Sequence, residues 1–252
     1  MIDIQEMVKT KSGPFPTGRF LFTHGGDIVM DLFDILGPVM VGPSSSHTAG
    51  AARIGLITRL LLGCEPAQAR IGLYGSFQKT YRGHGTDKAL VGGLLGMAVD
   101  DERLRDSLRY ASDAGLNYSF YNAEARDAHP NTVIMDVDGV DGRHICVQAA
   151  SVGGGEIVVQ SINGLEAGFN GHENTLIITQ RDAKGMIAQI SSVLSANSLN
   201  IATMRVFRRS AGGEAMVIIE LDGDAEQSLL ECLERMPGVY HVAYLAGRTE
   251  GQ

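Results

Sequence analysis

Six short segments between residues 175 and 244 alternate in an order that strongly constrains the fold of this chain. Apolar residues in strict alternation predict strands, whereas apolar residues that recur about every three to four positions predict helices. The segments are Thr175–Thr179, Met186–Ala196, Ile201–Arg208, Glu214–Leu221, Ala225–Met236 and Val239–Tyr244. Their order is strand, helix, strand, strand, helix, strand, which is that of a ferredoxin-like βαββαβ unit.

The residues before this unit mix predicted helices and strands less regularly, which indicates an α+β protein. Helices are predicted over Ala49–Leu62, Thr86–Leu95 and Glu102–Ala114, and strands over Ala69–Tyr74, Thr132–Val137, His144–Ala150 and Glu156–Ile162. Short turns join the last three strands, which favours antiparallel pairing. The segment Gly168–Asn174 has the composition of a linker. We therefore predict a disordered extension over 1–30, a mixed α/β domain over 31–171 and a second domain over 172–252.

The charge of the chain argues against two classes of partner. A formal net charge of -8 and a sequence pI of about 5.3 give no general attraction for nucleic acid or anionic membranes, and no run rich in Lys and Arg provides a local one. No apolar run reaches the ~20 residues that a membrane helix needs. The N-terminus also lacks the charged-then-apolar order of a signal peptide. We expect a cytoplasmic protein that binds neither nucleic acid nor membranes.

The three cysteines of the chain lie far apart. Cys64, Cys146 and Cys232 are separated by 82 and 86 residues. This spacing predicts neither a zinc site nor a disulfide framework, and we predict no metal ligands on this chain. Motifs for a pyridoxal lysine, a phosphate-binding P-loop and a zinc-protease helix do not occur in the sequence either. The candidate residues described next are therefore better suited to binding than to a complete catalytic set.

The first candidate site is a run of hydroxyl side chains and one imidazole at the start of the first predicted helix. It consists of Ser44, Ser45, Ser46, His47 and Thr48. A helix N-terminus carries roughly half a positive charge and free N–H groups, so these residues suit a small carboxylate. Plain N-capping is the alternative, but it needs one hydroxyl and leaves the other residues unexplained.

The second candidate site is the loop Gly83–Asp87, which leads into another predicted helix. Its glycines let the backbone approach a ligand closely, and His84 adds an imidazole, a side chain that can donate or accept a proton. Thr86 and Asp87 add a hydroxyl and a carboxylate. Simple capping of the helix by Thr86 or Asp87 is the alternative.

Two further segments are weaker candidates. His129, Pro130 and Asn131 stand at the entry to a predicted strand, and Ser151–Gly155 lies between two predicted strands. A lone histidine is usually structural, and a glycine triplet is often only a bulge or a tight turn. Three consecutive glycines also expose N–H groups to an anion, so both alternatives stay open.

The segment Phe33–Ala51, with the sequence FDILGPVMVGPSSSHTAGA, resembles the signature of the β subunit of bacterial iron–sulfur L-serine dehydratases. The resemblance recurs at Tyr74–Phe77, Gly83–Asp87, His129–Thr132 and Ser151–Gly155, and covers about residues 31–247. It implies conversion of L-serine to pyruvate and ammonia without pyridoxal, using a [4Fe-4S] cluster that cysteines of an α subunit hold. The dispersed cysteines of this chain agree with that expectation, because cluster ligation needs converging thiolates. An α subunit is therefore an expected partner.

The resemblance also implies roles for the candidate residues at an interface with the α subunit. His47 and His84 become candidates for proton handling. The expected substrate-binding residues are Ser44, Ser45, Ser46, Thr48, Thr86, Asp87, His129 and Asn131. The identity of the base that removes the α-proton stays open among these groups.

The C-terminal unit resembles an ACT domain, a fold that commonly pairs with itself and binds amino acids between the copies. The resemblance implies self-association and an amino-acid effector at Lys184, Gly185, Met186 and Asn200. Pairing that only holds subunits together is the alternative. The first domain is similar to the allosteric substrate-binding domain of some phosphoglycerate dehydrogenases, a likeness of fold that does not decide function.

Two other functions compete with the enzyme subunit. A stand-alone module that senses amino acids would bind serine or a related acid without catalysis. A structural assembly subunit would leave activity intact when His47 or His84 is replaced. The serine–histidine, G-H-G-T-D and H-P-N segments occur together in one predicted domain, which favours the enzyme subunit because a pure sensor does not need all three.

Overall fold

Two β-sheets organise the part of the chain that the computed structural model describes, residues 41–124 and 128–247. The strands are β1 Pro66–Leu73, β2 Asn117–Asn122, β3 Thr132–Gly139, β4 His144–Gly153, β5 Glu156–Ile162, β6 Leu165–Phe169, β7 Asn174–Arg181, β8 Ile201–Arg208, β9 Glu214–Leu221 and β10 Val239–Leu245. The helices are α1 Ala51–Leu62, α2 Ser76–Thr80, α3 Thr86–Leu94, α4 Ser107–Asp113, α5 Met186–Ala196 and α6 Gln227–Glu234. A π-helical turn, Ser45–Gly50, precedes α1, and a 3-10 helix, Glu102–Asp106, precedes α4. The predicted extension over 1–30 lies outside the described residues.

The strand order separates the two sheets clearly. The first sheet has the order β2-β1-β3-β4-β5-β6, in which β1 and β2 are parallel and all other neighbours are antiparallel. The second has the order β10-β7-β9-β8 and is antiparallel throughout. The chain order β7-α5-β8-β9-α6-β10 confirms the predicted ferredoxin-like unit and the α+β fold class.

The predicted linker over 168–174 is wrong at both ends. Gly168 and Phe169 still belong to β6, and Asn174 already begins β7, so only four residues connect the sheets. Ala167 and Phe169 are buried on one face of β6. The glycine between them, Gly168, has a φ of 66°, a backbone conformation that favours glycine. A segment that is paired with β5 therefore has the composition of a loop.

The second sheet buries both of its faces. Ile177 and Ile218 lie in the same apolar core as α1 and the first sheet. Their neighbours Ile178 and Val217 point to the opposite face, because side chains alternate along a strand, and pack there with the core that includes α5 and α6. The residues described form a single compact unit. The division into two domains stays a prediction.

Helices α1 and α3 cross at two glycines. A Cβ atom at Gly55 of α1 would lie 2.3 Å from the carbonyl oxygen of Leu90. A Cβ atom at Gly93 of α3 would lie 2.1 Å from the carbonyl oxygen of Ala52. The serine–histidine loop comes directly before α1 and the G-H-G-T-D loop directly before α3, so this backbone contact helps to set the distance between the two loops. Within the described ranges, no helix is long and apolar enough to cross a membrane.

A histidine of the second sheet holds the C-terminal end of α1. His241 of β10 donates from Nε2 to the carbonyl oxygen of Leu61 at 3.1 Å, and so satisfies a carbonyl that the helix end leaves without a partner. Arg143 donates to the carbonyl oxygen of Gly63 at 3.2 Å. Burial lowers the pKa of His241, and the hydrogen bond to Leu61 opposes this effect only in part.

We expect the free energy of unfolding to decrease as the pH falls below about 6.5, because the unfolded chain then binds a proton at His241 that the folded chain does not bind. One such histidine contributes a slope of at most about 1.4 kcal/mol per pH unit. Urea unfolding across the range from about pH 5.5 to 8 should show a shallower decrease for His241→Gln than for the wild type. Parallel curves for the two proteins would contradict this assignment.

Candidate functional site

The serine–histidine loop opens with a capping interaction. Ser44 has extended backbone angles, φ -146° and ψ 124°, and its Oγ accepts the backbone N–H of His47 at 3.1 Å. The π-helical turn that follows is a wide turn of a kind that is frequent at functional sites. The capping alternative is therefore correct for Ser44, but it does not explain the hydroxyls of Ser45 and Ser46.

His47 is half-buried among rings and hydroxyl groups. Its ring centroid lies 4.9 Å from that of His84 and 5.3 Å from that of Phe77. Its Nε2 lies 3.1 Å from Ser76 Oγ, and its Nδ1 lies 3.4 Å from Ser44 Oγ. Burial, and secondly the charge that His84 can carry, lower the pKa of His47 below its ordinary value. At neutral pH the ring of His47 is therefore uncharged and able to accept a proton.

The G-H-G-T-D loop is tied to the serine–histidine loop through a threonine. Thr48 Oγ1 donates to the carbonyl oxygen of His84 at 3.0 Å. Asp87 stands in the first turn of α3 and accepts the backbone N–H of Lys88 at 2.9 Å. The N-cap of this helix is Gly85, and neither Asp87 nor the buried Thr86 caps it through its side chain. The structure thus brings His84 to the first loop, whereas Asp87 serves the start of its own helix.

The H-P-N turn joins the same region through its backbone. The carbonyl oxygen of Pro130 accepts the N–H of Ser76 at 2.6 Å. Asn131 Nδ2 donates to the carbonyl oxygen of Ser151 at 3.4 Å, and the carbonyl oxygen of Asn131 accepts the N–H of Ser151 at 3.1 Å. His129 is exposed, and its Nδ1 accepts the N–H of Asn131 at 3.2 Å. Asn131 therefore connects the H-P-N turn to Ser151, whereas the ring of His129 contacts the backbone of its own turn.

Buried polar atoms without partners mark this region. Six buried side-chain N or O atoms in the described part of the chain have no hydrogen-bond partner. Four of them are Thr86 Oγ1, Asn131 Oδ1, Thr132 Oγ1 and Ser151 Oγ. Ser151 Oγ also lies against the π-helical turn, because a Cβ atom at Gly50 would be 2.1 Å from it. An unpaired buried polar group costs about 1–3 kcal/mol, so this concentration favours a polar ligand that pairs with them.

Three residues of this region were not predicted as site residues. Ser76 begins the five-residue helix α2, and Thr132 and Ser151 lie within strands. Local patterns assign such positions to ordinary secondary structure. The segment Tyr74–Phe77 carried a signal only through the family resemblance, and Ser151–Gly155 was a weaker candidate because of its glycines, without a role for its serine.

The predicted effector residues lie at the two ends of α5. Gly185, with a φ of 87°, is the N-cap of this helix, between an exposed Lys184 and a buried Met186. Asn200 follows the other end of the helix, and its side chain donates to the carboxylate of Asp222. At about 1.5 Å per residue, the 11 residues of α5 separate the two groups by about 16 Å. A single copy of the chain does not bring them together, and the effector site stays a prediction.

The cysteines in the described part of the chain do not fit an iron–sulfur cluster. Cys64 donates to Asp141 Oδ1 at 3.1 Å. Cys146 is half-buried on β4, and Cys232 is exposed on α6. Burial, and for Cys64 secondly the hydrogen bond to Asp141, raise the pKa of the Cys64 and Cys146 thiols, whereas metal ligation needs thiolates. Among the described residues, no group of three or more His, Cys, Asp or Glu is placed to hold a metal ion.

The fold and the candidate site together describe an α+β protein with a cluster of polar side chains at two helix starts and a C-terminal ACT-type unit. The ACT domain model matches residues 174–238 of the sequence. The model of the serine dehydratase beta chain matches residues 28–162. The chain therefore belongs to the serine dehydratase beta chain family, which confirms the resemblance noted in the sequence.

Individual relatives agree with this family. The chain is 39% identical over 215 residues to the probable L-serine dehydratase, beta chain, of Bacillus subtilis (strain 168), which covers 85% of this chain and 97% of the relative. It is 37% identical over 198 residues to the L-serine dehydratase, beta chain, of Peptoniphilus asaccharolyticus, and the match covers 78% of this chain and 89% of the relative. It is also 29% identical over 157 residues to the D-3-phosphoglycerate dehydrogenase of Bacillus subtilis, covering 62% of this chain but only 30% of that protein.

Proposed function

We propose that this chain is the β subunit of an L-serine dehydratase and acts with a separate α subunit to convert L-serine into pyruvate and ammonia. The family and the relatives with beta chain names support the proposal. The observation that carries it is the pairing of His47 with His84, whose ring centroids are 4.9 Å apart. Both loops that hold these rings precede helices. Buried polar side-chain atoms without hydrogen-bond partners lie on the neighbouring segments, where a polar ligand would pair with them.

In the proposed reaction, a base takes the proton from Cα of L-serine, and the hydroxyl group leaves the β-carbon with the bonding electron pair. The hydroxide combines with a proton, so that one molecule of water is lost for each aminoacrylate formed. The resulting aminoacrylate tautomerises to an imine, which adds water and releases ammonia to give pyruvate. We assign the uptake of the α-proton to His47, because its lowered pKa keeps the ring neutral. We assign the substrate carboxylate to Ser45 and Ser46, where the helix N-terminus favours negative charge.

A partner is needed to complete this site. Ser45, Ser46 and His47 are partly exposed, which agrees with an open site that a second protein covers. The described thiols do not fit a cluster, so we propose that the α subunit holds the [4Fe-4S] cluster that the family resemblance implies. This chain would then contribute hydroxyls, amides and imidazoles to a shared site.

Anaerobic pyruvate formation from L-serine tests the proposal. The assay compares this chain alone, a cluster-bearing α subunit alone and their mixture. We expect pyruvate only from the mixture. Equal activity of the α subunit with and without this chain would contradict a catalytic contribution. L-serine binding without any such contribution would favour the amino-acid-sensing module, for which the partial similarity to a phosphoglycerate dehydrogenase is the supporting observation.

We further propose that the ACT-type unit pairs with a second copy and binds an amino acid between the two copies. Gly185 and Asn200 stand at opposite ends of α5, so one effector that contacts both residues has to lie between copies. Sedimentation equilibrium of this chain alone, with and without amino acids, should therefore show at least a dimer. A monomer at all concentrations, with and without amino acids, would contradict the pairing.

A further inference from the structure

Both ring nitrogens of His47 have a hydroxyl group as their partner. Ser76 Oγ lies 3.1 Å from Nε2, and Ser44 Oγ lies 3.4 Å from Nδ1. A neutral imidazole carries one proton, on one of these two nitrogens. The partners of the ring therefore decide which nitrogen is the donor and which is the base.

The hydrogen bonds of Ser44 favour the tautomer with the proton on Nε2. Ser44 Oγ already accepts the backbone N–H of His47 at 3.1 Å, and its own hydroxyl proton can then be directed to Nδ1. In that tautomer Nε2 donates to Ser76 Oγ, the partner at the shorter of the two distances. In this arrangement Nδ1 is the basic atom, and its contact of 3.4 Å with Ser44 Oγ is at the weak end of hydrogen bonds, so that a substrate proton competes with a weak bond.

The backbone of the neighbouring H-P-N turn holds Ser76 in place. The carbonyl oxygen of Pro130 accepts the N–H of Ser76 at 2.6 Å. Gly75, with a φ of 61°, makes this approach possible, because a Cβ atom there would lie 2.6 Å from the same oxygen. Thr80 Oγ1 donates to the carbonyl oxygen of Ser76 at 2.9 Å. The hydroxyl of Ser76 is therefore presented to His47 from a fixed backbone.

We propose that Ser76 is a positioning residue, which holds the neutral ring of His47 in the Nε2–H tautomer and leaves Nδ1 to accept the substrate proton. This inference deepens the proposed function and rests on it for its kinetic consequence. When Nδ1 takes up a proton, the ring becomes positively charged and its Nε2–H bond to Ser76 becomes charge-assisted. Ser76 would then stabilise the ring before and after proton transfer.

Among the described residues, the groups recorded against the ring of His47 are the hydroxyls of Ser44 and Ser76, the ring of Phe77 and the ring of His84. His84 is the titratable group among them, and it approaches from the loop before α3. A change in the tautomer of His47 on replacement of Ser76 can therefore be attributed to the lost hydroxyl when His84 is left intact.

Long-range ¹H–¹⁵N spectra of the chain labelled at its seven histidines test this inference without any turnover. His47→Gln identifies the signals of His47. We expect the wild type to show a protonated Nε2 and an unprotonated Nδ1, Ser76→Ala to show averaged nitrogens, and Ser76→Thr to restore the wild-type pattern. Ser112→Ala, at an exposed position of α4, is the matched control. A wild-type ring protonated at Nδ1, or an unchanged tautomer in Ser76→Ala, would overturn the inference.

The kinetic arm separates this inference from the proposed function. In the mixture with the α subunit, Ser76→Ala should lower kcat about 10- to 100-fold with little change in KM, and Ser76→Thr should recover most of the loss. If the wild-type mixture forms no pyruvate, the proposed function fails while the tautomer result stands. If the wild-type mixture is active and Ser76→Ala keeps the same kcat, the inference fails while the proposed function stands.

Discussion

Replacing His47 with alanine should lower the kcat of pyruvate formation by the mixture with the α subunit about 10²- to 10⁴-fold, which is the usual contribution of a general acid or base. The methyl group of alanine cannot accept a proton. Among the described residues, His84 is the histidine whose imidazole contacts the ring of His47. His144→Ala is the matched control, because His144 is exposed and pairs with Asp138 at 2.9 Å. A His47→Ala mixture with a kcat within a few-fold of the wild type would contradict the assignment.

The pH dependence of the same activity should identify His47 as the base. The base must be unprotonated to act, and burial lowers the pKa of His47. We therefore expect kcat/KM to stay constant as the pH falls to about 6.5, which is the ordinary pKa of a histidine, and to decrease only below that pH. The residual activity of His47→Ala should lack this acid limb. An acid limb well above about pH 6.5 would point to a different group.

Much of the fold follows from local sequence pattern. The bounds of α5, β8 and β9 agree with the prediction, because each segment has the clean periodicity of a single element. The order of elements in the C-terminal unit then determines its topology. Helix α2 was not predicted, since its five residues span little more than one turn and show no period. The parallel pairing of β2 with β1 was not predicted either, because strand pairing depends on contacts that are distant in sequence.

The candidate site was predicted in its parts but not in its assembly. The hydroxyl and imidazole residues of the two loops are visible in the sequence, because their types and their position before helices point to polar binding. The partner of His47 was not predicted, since Ser76 lies 29 residues further along the chain in an ordinary helix start. Similarly, the contact between Asn131 and Ser151 spans 20 residues. Ser44 Oγ both caps the helix start and lies against His47 Nδ1, so capping does not exclude the proposed site role.

The assembly of the two loops depends on the crossing of α1 and α3, and Gly93→Ala should disrupt it. A Cβ atom at this position would lie 2.1 Å from the carbonyl oxygen of Ala52 and 2.7 Å from the N of Leu56. These are backbone atoms of a buried helix, so no side-chain rotation can relieve the overlap and the two helices must move apart. Such overpacking usually costs about 1–3 kcal/mol and occasionally more. The better helix propensity of alanine recovers at most about 1 kcal/mol.

We therefore expect Gly93→Ala to lower the free energy of unfolding by about 2 kcal/mol or more, measured by urea unfolding at neutral pH. Gly83→Ala is the control, because the nearest atom to a Cβ there is 3.6 Å away, and its stability should match the wild type within about 0.5 kcal/mol. Since the two loops lead directly into α1 and α3, we expect Gly93→Ala also to loosen the contact between His47 and His84 and so to raise the pKa of His47 toward its ordinary value. Histidine titration by NMR measures this shift in the fraction that remains folded. Equal stability of Gly93→Ala and Gly83→Ala would show that the helix crossing tolerates a side chain and does not set the spacing of the two loops.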